Sequence, residues 1–378
     1  MTWAVVVWAF VTLMFSPISS FQVGAEADTG APPVELLSGQ DDPAAKAISR
    51  LRDGDGLLLF TPGLRYYSTL AGSEAALRIL HVTPGKEPLG EVQFEGWKKS
   101  VPVRPDSASL RDGKITARFG RNEVTVVALN AVIVPASRCA VVLDPDFFLP
   151  LYENEVRGGI IDLSMKLFRS MVEAGAAGFP LYVIDPLSTP YFPLQWSYVG
   201  SLWIDIWQHP DAFRGDLPAK WKTRKESEFL AEFGQFEEAT VLLEDARPHF
   251  PKDGSIEFQL ARLAFRDRET AEGIRHMNRA VKTDRRFLRG YSEYGNYFSS
   301  KERPDVAEMV LRAGLLQDKA DRSLNLQLFK LLLERAETVA NLDPDGARKN
   351  LEDALGLSVP QETRERALML RKKLPPSP

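Results

Sequence analysis

The chain of 378 residues has a single cysteine, Cys139, and only four histidines, His81, His209, His249 and His276. One cysteine excludes an internal disulfide and a thiolate metal cluster. Cys139 opens an apolar run, where it reads as a small buried hydrophobe. None of the histidines stands in a catalytic context that would serve a cysteine nucleophile. Basic excess is also missing: 47 Lys and Arg face 51 Asp and Glu, for a net charge of −4. Binding to a phosphate backbone calls for such an excess, so nucleic acid is not an expected partner. A membrane-spanning run is lacking too. The N-terminal apolar stretch from Trp3 to Phe15 is shorter than the roughly 20 residues a spanning helix needs.

What remains is the composition of a soluble globular chain, 44% apolar and 26% charged, long enough for two domains with separate cores. The N-terminal stretch suits a secretory signal, and Ala25-Glu26-Ala27 fits the small-x-small rule for cleavage. No Lys or Arg precedes the apolar core, so an uncleaved membrane anchor stays open as the alternative. The expectation is an exported protein, periplasmic or secreted, with residues 1–27 as signal and 28–41 (DTGAPPVELLSGQD) as a polar linker. After cleavage no stable membrane span is expected.

From 42 to 221 the pattern alternates between apolar runs and helical periodicity, as expected of an α/β domain with a mainly parallel sheet. PAAKAISRLRDGDG predicts a helix closed by Gly54, and LLLF a buried strand. SEAALRILHV carries apolar residues at helical spacing. Strands are expected around Glu91 to Phe94, Lys114 to Phe119 and Glu123 to Val134, the last rich in β-branched residues. CAVVLD, then the helix DLSMKLFRSMVEAG, then FPLYVID read as a βαβ unit. Asp144, Asp146 and Asp185 then fall at the carboxyl ends of neighbouring strands, where ligands of open α/β sheets collect. Three carboxylates could hold a divalent metal through oxygen. Asp and Pro also end strands without any further role.

The segment from Cys139 to Pro190 weakly resembles the arginase and deacetylase-like superfamily. The resemblance rests on Asp144-Pro145-Asp146, Gly158-Gly159 and Asp185. It implies a possible divalent metal and hydrolysis of an amide or guanidino group. The family's histidine and its Asp-x-His-x-Asp ligands have no counterpart, since His81 has no flanking aspartates. Downstream, YFPLQWSYVGSLWIDIWQHPDAFRGDLPAKW is dense in tryptophan. Trp196, Trp203 and Trp207 could form a carbohydrate platform, or glue two domains together.

From 222 to 357 the chain is almost continuously helical, and ESEFLAEFGQFEEATVLLEDARPHFPKDG resembles a tetratricopeptide repeat. Gly234 marks the turn between helices, Ala239 and Ala246 the close helix contacts, and Pro251 the end. The family's 34-residue period carries Ala246 to Ala280 and then next to Ala313. A fourth, drifting pair and a polar tail, 358–378, follow. Such an all-α repeat domain implies a solenoid whose first helices line a groove for a protein or peptide. Arg262 and Arg266 would lie on one such helix, and Tyr291, Tyr294 and Asn296 on the next. Arg and Tyr are favoured at binding hot spots, although tyrosines between repeats also serve as packing. The period and the incomplete catalytic set favour an exported protein-binding scaffold over a metal-dependent hydrolase or a carbohydrate-binding module.

Overall fold

The computed structural model describes residues 33–85, 87–129, 132, 138–150, 159–173, 176–189, 192–250 and 252–375. The expected signal segment, the polar tail end at 376–378 and Gly158 lie outside these residues. The chain divides into two compact units, Met1–Phe233 and Gly234–Pro378.

The first unit is built on eight strands: β1 (Val34–Leu37), β2 (Gly56–Phe60), β3 (Arg78–Thr83), β4 (Ser107–Arg111), β5 (Lys114–Phe119), β6 (Asn122–Ala128), β7 (Cys139–Leu143) and β8 (Leu181–Ile184). They form one sheet in the order β1-β8-β7-β2-β3-β6-β5-β4. The sheet is mixed. The pairings from β1 through β6 are parallel, and those of β6 with β5 and β5 with β4 are antiparallel. This corrects the expectation of a mainly parallel sheet, and the reason is local. Asp112 and Gly113 both adopt positive φ, 50° and 71°, the geometry of a tight hairpin turn.

Three further expectations give way. Glu91 to Phe94 belongs to helix α3 (Glu91–Ser100), which buries Phe94 and Trp97 three residues apart on one face. RILHV is strand β3 rather than helix, because β2 and β6 pair with it on both sides. VELL, placed in the linker, forms edge strand β1 beside β8. The helix predicted in PAAKAISRLRDGDG is α1 (Pro43–Ile48), capped by Asp42 and ending before Gly54.

Strands β2, β7 and β8 are buried along their whole length, as expected where both faces are covered. On one face Leu57, Leu59, Ala140, Val142, Tyr182 and Ile184 share a core with residues of α1, of α2 (Tyr67–Ala71) and of α3. The connection from β7 to β8 is α4 (Gly159–Glu173), and α5 (Val199–Gln208) packs on β1 and β8. Trp203 stacks between Phe148 and Phe168 at centroid distances of 4.7 and 6.3 Å. Its Nε1 donates to Ser164 Oγ, while Trp207 Nε1 donates to the Phe179 carbonyl. Trp196, Trp203 and Trp207 are all buried. A sugar platform needs exposed ring faces, so the carbohydrate reading is overturned. Helix α6 (Ala219–Glu232) closes this unit, and Gly234, at φ 80°, turns the chain onward.

The second unit is all helix: α7 (Phe236–Ala246), α8 (Gly254–Arg266), α9 (Thr270–Thr283), α10 (Arg289–Ser300), α11 (Pro304–Gln317), α12 (Arg322–Val339), α13 (Pro344–Leu355) and α14 (Gln361–Lys373). The last of these falls in the segment expected to be a polar tail. Consecutive helices pack as the pairs α8/α9, α10/α11 and α12/α13. A 34-residue period runs through the buried positions: Ala239, Gly273 and Ala307; Leu243, Met277 and Leu311; Ala246, Ala280 and Gly314. Gly314, not its neighbour Ala313, holds the third close contact. A Cβ there would meet Tyr291 and Leu324 at 2.8 Å, and one at Gly295 would meet Leu311 at 2.5 Å. Small residues recur because the helix axes approach too closely for anything larger.

Candidate functional site

The first candidate is the carboxyl edge of the sheet. From β2 the chain moves to β3 on one side, and from β7 to β8 on the other. The crevice between β2 and β7 is therefore the topological switch point, where α/β sheets place ligands. Thr61 follows β2 there and Asp144 follows β7. Asp144 is buried, and its Oδ2 lies 2.6 Å from the Arg65 guanidinium. It also accepts from the Thr61 and Tyr66 hydroxyls at 3.3 and 3.4 Å. Its Oδ1 accepts from Asp146 N, capping the 3-10 turn Pro145–Phe148. Burial raises the Asp144 carboxyl, with Arg65 pulling the other way. Burial and the neighbouring Asp144 charge push Asp146 up to about 6.

Asp185 does not join them. Strand side chains alternate between faces, and the register pairs Val142 with Tyr182 and Leu143 with Val183. Asp144 continues the face of Val142, whereas Asp185 continues that of Val183. Asp185 instead accepts from Leu187 N and caps the turn Pro186–Ser188. Among the described residues no group of three or more His, Cys, Asp or Glu could hold a metal ion. The metal set Asp144, Asp146 and Asp185 is thus corrected to two turn caps, Asp144 and Asp185, with the buried Asp144 carboxylate also paired to the exposed Arg65. Sequence reasoning missed Arg65, the residue that neutralises Asp144, because 79 positions separate them in the chain.

Beside this edge is a cleft of about 710 Å³, lined among others by Pro62, Leu64, His81, Thr83, Trp97 and Val126. His81 is fully buried, with Nδ1 2.9 Å from the Tyr67 hydroxyl and Nε2 3.1 Å from the Thr61 carbonyl. Burial depresses it to about 4. Its nitrogens are both committed and it is held neutral, so it ties β3 to the loop after β2 and to the start of α2. Cys139 is buried and its thiol is pushed well up by desolvation, as befits an inert packing residue.

The second candidate is the row of first helices in the repeat unit. Phe265 and Phe258 on α8 pack against Tyr294 on α10, at 4.5 and 6.2 Å between ring centroids. Ser292 on α10 meets Ser323 on α12 at 2.9 Å. Helices α8, α10 and α12 therefore stand side by side. Of the expected partner-binding residues, Arg266 and Asn296 are exposed and Arg262 is half-buried. Tyr294 is a packing residue in the α8–α10 seam, and its hydroxyl is raised by burial, against the charges of Arg262 and Arg266. Tyr291 is a correction. It is fully buried, with its hydroxyl 2.5 Å from Asn278 Oδ1 on α9 and its Cβ against Gly314. The basic residues Arg275, Arg285 and Arg286 are exposed and engaged with Glu272, Asp318 and Asp284.

No protein-family model matches the chain, and no curated protein matches it. Among solved structures, the Cut9–Hcn1 hetero-tetramer of the APC/C is similar at 15% identity and a TM-score of 0.27, over 61% of this chain and 41% of that one. The chain thus spans under half the length of that structure. A protein from Bacteroides ovatus is similar at 12% identity and a TM-score of 0.22, over 57% of this chain and 99% of that one. These likenesses are too distant to transfer a fold or a function. The repeat architecture rests on the helix pairs and the 34-residue period of the chain itself.

Proposed function

We propose that the protein is an exported scaffold whose repeat unit recruits a protein partner along the row formed by α8, α10 and α12. The observation that carries this reading is the contrast within that row. Its α8–α10 seam is closed by Phe258, Phe265, Tyr294 and Phe298, and its α10–α12 seam is bridged by Ser292 with Ser323, while Arg266, Asn296 and Tyr297 stay exposed. A polar face held rigid by packed seams loses little entropy when it binds. At the sheet edge Arg65 already neutralises Asp144, and no observation favours a hydrolase.

Cross-linking mass spectrometry on the tagged full chain tests the scaffold reading. Cross-links from a partner are expected on α8, α10 and α12, and they should vanish in Asn296→Trp, which fills the row. Undiminished cross-links in that variant would refute it. Export rests on the N-terminal sequence and predicts a mature chain beginning at Asp28. N-terminal sequencing of the protein recovered from its host checks this.

A further inference from the structure

The cleft of about 710 Å³ beside the sheet edge is built from a strand row and two walls. His81, Val126 and Ile115 form its bottom, and the register sets them directly across from one another on β3, β6 and β5. Neighbouring strands lie about 4.8 Å apart, so the row is about 10 Å long. All three residues are almost fully buried, so the cleft tapers to a narrow slot above them. The bottom carries no charge, because His81 is neutral and spends both ring nitrogens on Tyr67 and Thr61. One wall is the loop after β2, with Gly63 and Leu64. The other is α3, where Gln93, Gly96, Trp97 and Ser100 share one helical face. A Cβ at Gly63 or Gly96 would meet no atom within 4 Å among the described residues, so no close contact requires glycine at either place. Gly96 even stands inside a helix, where glycine is disfavoured. What the two glycines preserve is open space between the walls.

We propose that this cleft binds a flat, uncharged aromatic molecule of two fused rings, inserted edge-on between the loop after β2 and α3. The volume lies within the roughly 300–1,000 Å³ of small-molecule sites, and a slot about 10 Å long takes two fused rings and a small substituent. The taper admits a ring edge and excludes a puckered skeleton. Charge is excluded by the bottom of the cleft, where an ion would give up its hydration and gain no partner. Glu87 is the one charged side chain among the described lining residues, and it is exposed. Aromatic character follows from Trp97, whose indole lines the cleft and favours offset or edge-to-face contact with a second ring. Two polar groups stand ready to orient the guest. Thr83 Oγ1 donates to the Val127 carbonyl and keeps lone pairs for a hydroxyl or N–H of the guest. Gln93 Oε1 accepts from Gly90 N, which leaves its Nε2 to donate. The site is separate from the row of α8, α10 and α12, and neither reading depends on the other.

Isothermal titration calorimetry on the full chain tests this with three probes: naphthol, its charged analogue naphthoate, and its saturated analogue decalol. Naphthol is expected to bind about tenfold more tightly than either analogue. Gly63→Phe and Gly96→Phe fill the cleft from its two walls, and each should weaken naphthol by about tenfold or more. Neither should lower the thermal midpoint, since a Cβ has room at both positions. Should either variant unfold, Gly96→Leu takes its place, with a side chain of high helix propensity. Equal affinity for naphthoate or decalol would overturn the uncharged, flat guest. Naphthol binding that is undiminished in either wall variant, or absent from the unaltered chain, would overturn the site itself.

Discussion

Two residues of the first unit set opposite responses to pH. His81 is buried between the Tyr67 hydroxyl and the Thr61 carbonyl, with a pKa lowered to about 4 from an ordinary 6.5. Below pH 6.5 the unfolded chain takes up a proton that the folded chain refuses. Its contribution is therefore complete above that pH and falls away toward pH 4, by about 1.4 kcal/mol per unit. Asp146 runs the other way. Its folded value of about 6 lies above the ordinary 3.8, so its ionisation costs stability as pH rises from about 4 to 6. Asp146→Asn should thus stabilise the protein by on the order of 1 kcal/mol at pH 8, after allowance for its partial exposure, and by nothing below pH 4. The cost of His81→Leu should shrink steadily as pH falls below 6.5. Urea midpoints of both variants measured from pH 4 to 8 separate the two slopes. The sequence marked Asp146 but took it for a ligand, because the burial that perturbs it comes from residues distant in the chain.

At the scale of elements, the repeats show a contest between propensity and packing. Alanine is favoured over glycine within a helix by about 1 kcal/mol. At Gly314 a Cβ would press on the Cβ of Tyr291 and on Leu324 at 2.8 Å, and overpacking of a close contact costs about 1–3 kcal/mol. Packing prevails, because the Tyr291 Cβ belongs to a fixed helix. Gly314→Ala should therefore destabilise the second unit by about 1 kcal/mol, read as a lowered denaturation midpoint. An unchanged or raised midpoint would show that α10 and α11 can move apart. The period that places Gly314 was visible in the sequence through Ala246 and Ala280. Strand elements were less legible. VELL is four residues long and half-exposed in pattern, too little for period-2 alternation to register. RILHV keeps both faces apolar and so mimics a helix in composition.

At the scale of the whole molecule, a mixed sheet and a helical array carry separate cores in two compact units. Asp144→Ala removes the anchor that gathers Arg65, Thr61 and Tyr66. It should expose amides of β2 and β7 to hydrogen exchange and leave α10 to α12 protected. Gly314→Ala should do the reverse. Loss of protection spread over both units by either substitution would mean that they open together. No helix among the described residues is long and apolar enough to cross a membrane.

The sequence by itself determined the two-part organisation, the buried strands LLLF and CAVVLD, and the repeat period. Each is a local pattern of apolar or small residues that survives without knowledge of neighbours. Only the tertiary structure decided that Asp144 and Asp185 face opposite sides of the sheet, that Arg65 neutralises Asp144, and that Tyr291 is packing. Register, facing and pairing depend on which distant segments meet, and alternation along one strand or one helix leaves that choice open.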